Sequence, residues 1–91
     1  MNQKEKIVYL IKEYEKNNYS TEVFCDQFEY IFFMEKDGSI PKSLYEQTEE
    51  YARIFGRFSP YEDDIKAGIL FDENKIRLEF KKLLKIWDNV I

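Results

Sequence analysis

The sequence of 91 residues contains no histidine, one cysteine, three glycines and two prolines. Without histidine, the chain lacks the commonest general base and the commonest metal ligand of proteins. Cys25 alone cannot form an internal disulfide and offers only one soft ligand for zinc, and a lone thiol suits a reducing compartment. The glycines are scattered, so no glycine-rich phosphate-binding loop is present. We therefore expect no enzymatic activity, no cofactor and no metal site.

Long hydrophobic runs are also missing. The apolar segment near the N-terminus is interrupted by Lys12 and Glu13, which makes it too short and too charged for a signal peptide or a membrane span. We therefore expect a cytoplasmic protein that does not bind a membrane.

Aromatic residues, by contrast, are abundant: the chain has eight Phe, seven Tyr and one Trp. Large rings contribute much buried area per position, which suits the small core of a chain this short. The apolar content is also high enough to offset the entropy of folding, so a disordered chain is not expected. We predict a single helical domain over residues 1–91.

Apolar residues recur at spacings of three and four, the period of a helix that buries one face, in four segments. The first predicted helix covers residues 3–16, and the second covers about 21–35 after a cap at Ser20 or Thr21. The residues of these two helices predicted to face the core are Ile7, Leu10, Ile11, Tyr14, Phe24, Phe28, Ile31 and Met34, with Val23, Phe32 and Phe33 widening the apolar arc of the second helix.

The third predicted helix begins at Pro41 or, if Ser43 and Glu46 form a capping box, slightly later. Gly56 ends it. The fourth helix follows a cap at Asp72. The predicted core residues of these two helices are Leu44, Thr48, Tyr51, Ala52, Phe55, Ile76, Phe80, Leu83, Leu84 and Trp87.

Four helices with mostly short loops favour an all-α fold, an antiparallel four-helix bundle. One connection, residues 57–72 between the third and fourth helices, is longer and acidic, and Ser59 followed by Pro60 predicts one helical turn over 60–64. This connection has to cross one end of the bundle. Long loops in compact domains are often functional.

The net charge of −4 is unevenly distributed. Residues 46–73 contain eight acids and three bases, a charge of −5, whereas the rest of the chain carries ten acids and eleven bases, a charge of +1. This acidic window argues against direct nucleic-acid binding, which needs Lys and Arg for phosphate contacts. It suits a basic protein partner. The alternative is that these acids only keep a small protein soluble.

Three short patterns spread through most of the chain carry a family resemblance. They are Glu49-Glu50 followed by Arg57-Phe58-Ser59-Pro60, Asp72-Glu73-Asn74 followed by Ile76-Arg77-Leu78-Glu79-Phe80, and the spacing of Thr21, Phe24 and Phe28. In these patterns the sequence resembles the colicin D immunity protein family.

The resemblance implies a four-helix bundle that binds the nuclease domain of a toxin, of the kind that cuts tRNA, and covers its active site. Acidic side chains would stand where the phosphates of the RNA lie. Family acidic positions correspond here to the uncharged Gly56, Ser59 and Tyr61, whereas Asp63 keeps its charge. The residues expected to bind the toxin are Glu62, Asp63, Asp64, Tyr61, Arg57, Glu49, Glu50 and Asp72.

Two other functions remain open from the sequence. A helical adaptor or regulator would bind a cellular protein through an exposed aromatic or acidic face. Alternatively, the Phe-rich second helix would pair across a two-fold axis in a homodimer. The expected state is therefore a monomer or a weak homodimer.

Overall fold

The computed structural model describes residues 1–61, 68 and 70–91, and this part of the chain forms four helices and no strand. The helices are α1 (Gln3–Glu15), α2 (Thr21–Met34), α3 (Lys42–Phe55) and α4 (Glu73–Trp87). In sequence order, each helix packs against the next. The side-chain amide of Gln3, at the start of α1, donates to backbone carbonyls near the end of α2, so these two helices run antiparallel. The predicted all-α four-helix bundle is confirmed.

The start of α1 is capped by side chains from two parts of the chain. Asn2 forms a capping box within the first turn. From the α2–α3 loop, Asp37 accepts a hydrogen bond from the Gln3 N–H at 3.0 Å, and Ser39 Oγ accepts one from the Lys4 N–H at 3.0 Å. The N–H groups of the first helical turn have no partner inside the helix. These caps therefore satisfy them and tie the loop to α1.

The starts of α2 and α4 follow the predicted capping rule. Ser20 Oγ accepts a hydrogen bond from the Val23 N–H at 3.2 Å, so Ser20 is the cap and Thr21 is the first helical residue. Asp72 Oδ1 accepts one from the Lys75 N–H at 2.9 Å. The cap predicted at Asp72 is confirmed.

α3 begins without a side-chain cap. Pro41 occupies the N-cap position and Lys42 is the first helical residue, so the alternative capping box from Ser43 is wrong. α3 ends before Gly56, as predicted. Gly56 has a right-handed conformation with φ of −66°, so the helix does not end in a left-handed glycine cap.

Aromatic rings form the centre of the core. Tyr14 stacks on Phe24 with 4.2 Å between ring centroids, and Phe24 also meets Phe80 edge-on at 5.3 Å. Phe28 meets Phe55 edge-on at 5.0 Å. These five rings come from all four helices, so each helix is held to the same cluster.

The outer side of α2 differs from the prediction. Met34 was expected in the core but is 70% exposed, and Val23 and Phe33 are also exposed. α2 packs against α1 on one side and α3 on the other, so its third side has no neighbouring helix. The buried part of the α2 circumference is therefore smaller than the part that carries apolar residues.

Candidate functional site

The structure describes only some of the predicted binding residues, and these lie in different places. Glu62, Asp63 and Asp64 lie outside the described residues, as does most of the helical turn predicted over 60–64. The other five predicted residues are Tyr61, Arg57, Glu49, Glu50 and Asp72. They do not form one cluster.

The connection between α3 and α4 is closed at its base by a parallel backbone bridge between Phe58 and Phe71. The Ser59 N–H donates to the Phe71 carbonyl at 3.0 Å, and the Phe71 N–H donates to the Arg57 carbonyl at 2.8 Å. The rings of Phe58 and Phe71 pack against the core. The two ends of the connection are therefore fixed to each other and to the bundle.

This base presents Arg57 and Tyr61 to solvent. Arg57 is exposed, and the Tyr61 side chain is 69% exposed, so it does not close the core. The Tyr61 N–H donates to Ser59 Oγ at 3.1 Å, and Ser59 itself is buried. The backbone of Tyr61 is thus held while its ring is available for contact.

A shallow cleft of about 340 Å³, lined by Pro60 just before Tyr61, joins the start of the connection to the N-terminal ends of α2 and α4. Its acidic residues come from both helices: Glu22 from α2, and Asp72 and Glu73 from the start of α4. The backbone bridge and the capped helix starts position these acids. The cleft lining is Ser20, Thr21, Glu22, Phe58, Ser59, Pro60, Asp72 and Glu73.

Two of the three acids in this cleft already have partners. Asp72 caps α4. Glu73 Oε1 accepts a hydrogen bond from Thr21 Oγ1 at 2.5 Å, and Thr21 also bonds the Tyr14 hydroxyl at 2.8 Å. Burial raises the pKa of Tyr14. Glu22 is exposed and forms no ion pair with a described residue, so its charge is the one most available to a partner.

Glu49 and Glu50 lie apart from this cleft. Glu49 is half-buried, and its Oε2 pairs with Arg53 Nη2 at 3.1 Å. It also lines a cleft of about 470 Å³ that includes Gln3, at the opposite end of the bundle from Thr21. Glu50 is exposed, and with Glu49 and Arg53 it lines a shallow depression of about 320 Å³ on α3.

Sequence reasoning missed the acids of α2. Glu22, Asp26 and Glu29 are exposed and occur at spacings of four and three, so they share one face of the helix. The signal was present in the sequence: residues 17–35 contain four acids and no base.

Cys25 is buried, and burial raises the pKa of its thiol, which disfavours the reactive thiolate. Within the described part of the chain, no three His, Cys, Asp or Glu side chains are grouped as a metal site would require. None of the described helices has the length and apolar character needed to span a membrane.

Comparison of the chain with models of known protein families, with curated proteins and with solved structures finds no match.

Proposed function

We propose that this chain is an immunity protein that binds the nuclease domain of a cognate toxin and blocks its active site. The observation that carries the proposal is the acidic surface around the α3–α4 connection, where exposed Tyr61 follows Pro60, a residue of the cleft bordered by Glu22, Asp72 and Glu73. A nuclease active site must be basic to hold its substrate, so an acidic surface is its electrostatic complement. Such an inhibitor acts in the cytoplasm, without a cofactor.

The distribution of charge supports a basic protein as the partner. Residues 17–35 and 46–73 together contain twelve acids and three bases, a charge of −9, whereas the remaining residues contain six acids and eleven bases, a charge of +5. An even spread of acids would be enough for solubility. Such a separation of acidic from basic residues would orient the chain so that its acidic side meets a basic partner.

The mode of inhibition that we propose is occlusion. Tyr is favoured in protein interfaces because its ring is apolar and its hydroxyl can form a hydrogen bond. Tyr61 would contact the toxin domain beside its substrate groove, and the neighbouring acids Glu62, Asp63 and Asp64 would occupy positions that RNA phosphates take. Arg57 would orient the connection or pair with an acid on the toxin.

The proposal is tested by co-expression with the C-terminal domain of the toxin encoded by the neighbouring reading frame. The wild-type chain should restore growth and form a complex with that domain. The double substitution Asp63→Lys/Asp64→Lys should abolish protection and leave thermal stability nearly unchanged, because like charges would then face the basic groove.

Glu15→Lys is the matched control, since Glu15 is an exposed acid on α1, outside both acidic segments. This variant should still protect. If the wild-type chain gives neither protection nor a complex, the proposed function is wrong. If the double variant loses stability instead, these acids support the fold and are not the binding site.

A further inference from the structure

The outer face of α2 exposes a line of large apolar side chains. Met34 is 70% exposed, Tyr30 57% and Val23 43%. The spacings between them, seven and four residues, place them on one line along the helix. α2 carries four of the nine exposed large hydrophobic side chains among the described residues, the fourth being Phe33, whereas α3 carries none. Tyr and Met are residue types that recur at the centres of protein interfaces.

A ridge of acids runs beside this line. Glu22, Asp26 and Glu29 follow one another at spacings of four and three, and none forms an ion pair with a described residue. The Glu29 carboxyl group lies over Gly56, where an added Cβ would approach it to 2.5 Å. The ridge is therefore on the side of α2 that faces the end of α3.

The ridge and the apolar line meet in one depression of about 380 Å³, lined by Asp26, Glu29, Tyr30, Phe33 and Met34. At its other end, the ridge reaches the cleft beside the connection, because Glu22 lines that cleft. The α2 face and the proposed toxin-binding site thus form one continuous surface.

We infer that the outer face of α2 is the apolar anchor of the toxin interface, with Tyr30 and Met34 as its main contacts. The part of the partner that fits is a basic segment that also presents apolar side chains, since acids border the apolar line along its length. This inference rests on the proposed function and extends it. The connection covers the active site of the toxin domain, and the outer face of α2 binds a neighbouring surface of that domain.

A second copy of this chain fits the face less well. Pairing of two α2 helices across a two-fold axis would bring both acid ridges together without a base on either helix. Head-to-tail pairing with α4 would supply positive charge, but Leu78 is the only exposed large apolar side chain of that helix. An anionic membrane surface is disfavoured by the acids.

The test measures binding of the same toxin domain by titration calorimetry and stopped-flow kinetics. Tyr30→Ala/Met34→Ala should raise Kd at least about tenfold, as expected for buried interface anchors. Asp26→Lys should lower the association rate about tenfold, because it reverses a charge that steers the basic domain. Leu78→Ala, which removes an exposed apolar side chain of α4, should change Kd by less than about twofold.

The possible results separate the two proposals. If the wild-type chain does not bind the domain, the proposed function and the α2 anchor are both wrong. If the wild-type chain binds and the α2 variants bind equally well, only the α2 anchor is wrong. Light scattering of the free chain gives a further check, because self-association that Tyr30→Ala/Met34→Ala abolishes would identify a second copy as the occupant.

Discussion

At the scale of single residues, the core contains a polar contact between two helices. The Trp87 Nε1–H donates to Thr48 Oγ1 at 2.9 Å, and Thr48 Oγ1 donates in turn to the Leu44 carbonyl at 2.7 Å. Thr48 and Trp87 are both completely buried. This contact joins α3 to α4 and gives the indole N–H the partner that a buried donor requires.

We predict that Thr48→Val lowers the free energy of unfolding by about 1–3 kcal/mol, because valine has nearly the same shape but leaves the indole N–H buried and unpaired. For a domain of this size, each 1 kcal/mol corresponds to about 4–8 °C in Tm. Denaturant unfolding measures the change. The control is the same substitution in a Trp87→Phe background, where it should cost less. An equal cost in both backgrounds would show that the hydrogen bond contributes nothing.

Glu79 shows why single residues are hard to predict from a helical pattern. It is only 5% exposed, although a carboxylate on a helix is normally expected in water. Its Oε1 accepts hydrogen bonds from Lys75 at 2.8 Å and from Lys82 at 3.3 Å, and the Lys75 bond is the main reason that its pKa is lowered. Periodicity identifies apolar faces, but it does not reveal a buried carboxylate that neighbouring cations satisfy.

At the scale of helices, local chemistry predicts starts and ends better than it predicts exposure. The caps at Ser20 and Asp72 follow from the residue types, because a side-chain oxygen at that position accepts a hydrogen bond from the first turn. Lys16 and Glu35, predicted as the last residues of two helices, are their C-caps. The exposure of Met34 could not be predicted, since it depends on which sides of α2 the other helices cover.

One of the contacts that cap α1 is not revealed by any local pattern, because Asp37 lies 34 residues from Gln3. Hydrogen bonds from the Ser39 side chain and from the N–H groups of Gln3 and Ser39 lower the pKa of Asp37 to about 2. The ionised carboxylate also interacts favourably with the positive end of the helix dipole. A folded-state pKa below the unfolded value means that this group stabilises the fold only while it is ionised.

We therefore predict that Asp37→Asn destabilises the protein at neutral pH and that the deficit shrinks on acidification. The contribution of Asp37 is fully present above its unfolded pKa of about 4 and is lost as the pH falls through about 2. Urea unfolding of both proteins between about pH 2 and 7 measures this difference. Asp88→Asn is the control, because it also removes one exposed carboxylate. A deficit that stays constant with pH would show that Asp37 acts only through its shape.

At the scale of the whole molecule, charge is separated across the bundle. α2 has a charge of −3 and α4 a charge of +3. α4 packs mainly on α3, whereas α2 packs mainly on α1 and α3. α2 and α4 meet where the Phe24 ring contacts the Phe80 ring and Thr21 donates to Glu73. The sequence predicted the fold, and the acids of α2 are visible in it, but the surface that these acids share with the connection depends on how the helices pack.

Under the proposed function, this separation predicts a steep salt dependence for association with the toxin domain. Raising NaCl from about 50 mM to about 500 mM should lower the association rate by about tenfold or more, because the Debye length shortens and steering is screened. The dissociation rate should change little, since the proposed anchors on α2 are apolar. Stopped-flow kinetics measures both rates. Asp26→Lys should show a shallower dependence, and an association rate independent of salt would contradict steering.

The backbone bridge between Phe58 and Phe71 has a consequence for how such a protein can diversify. Because the bridge joins Phe58 to Phe71, the bundle sets the positions of both ends of the connection. We call the residues between these two positions the cassette. The entropy of closing a loop grows only slowly with its length, so insertions there cost little stability. Under the proposed function, related chains can therefore change the cassette to match a different toxin while keeping the same core.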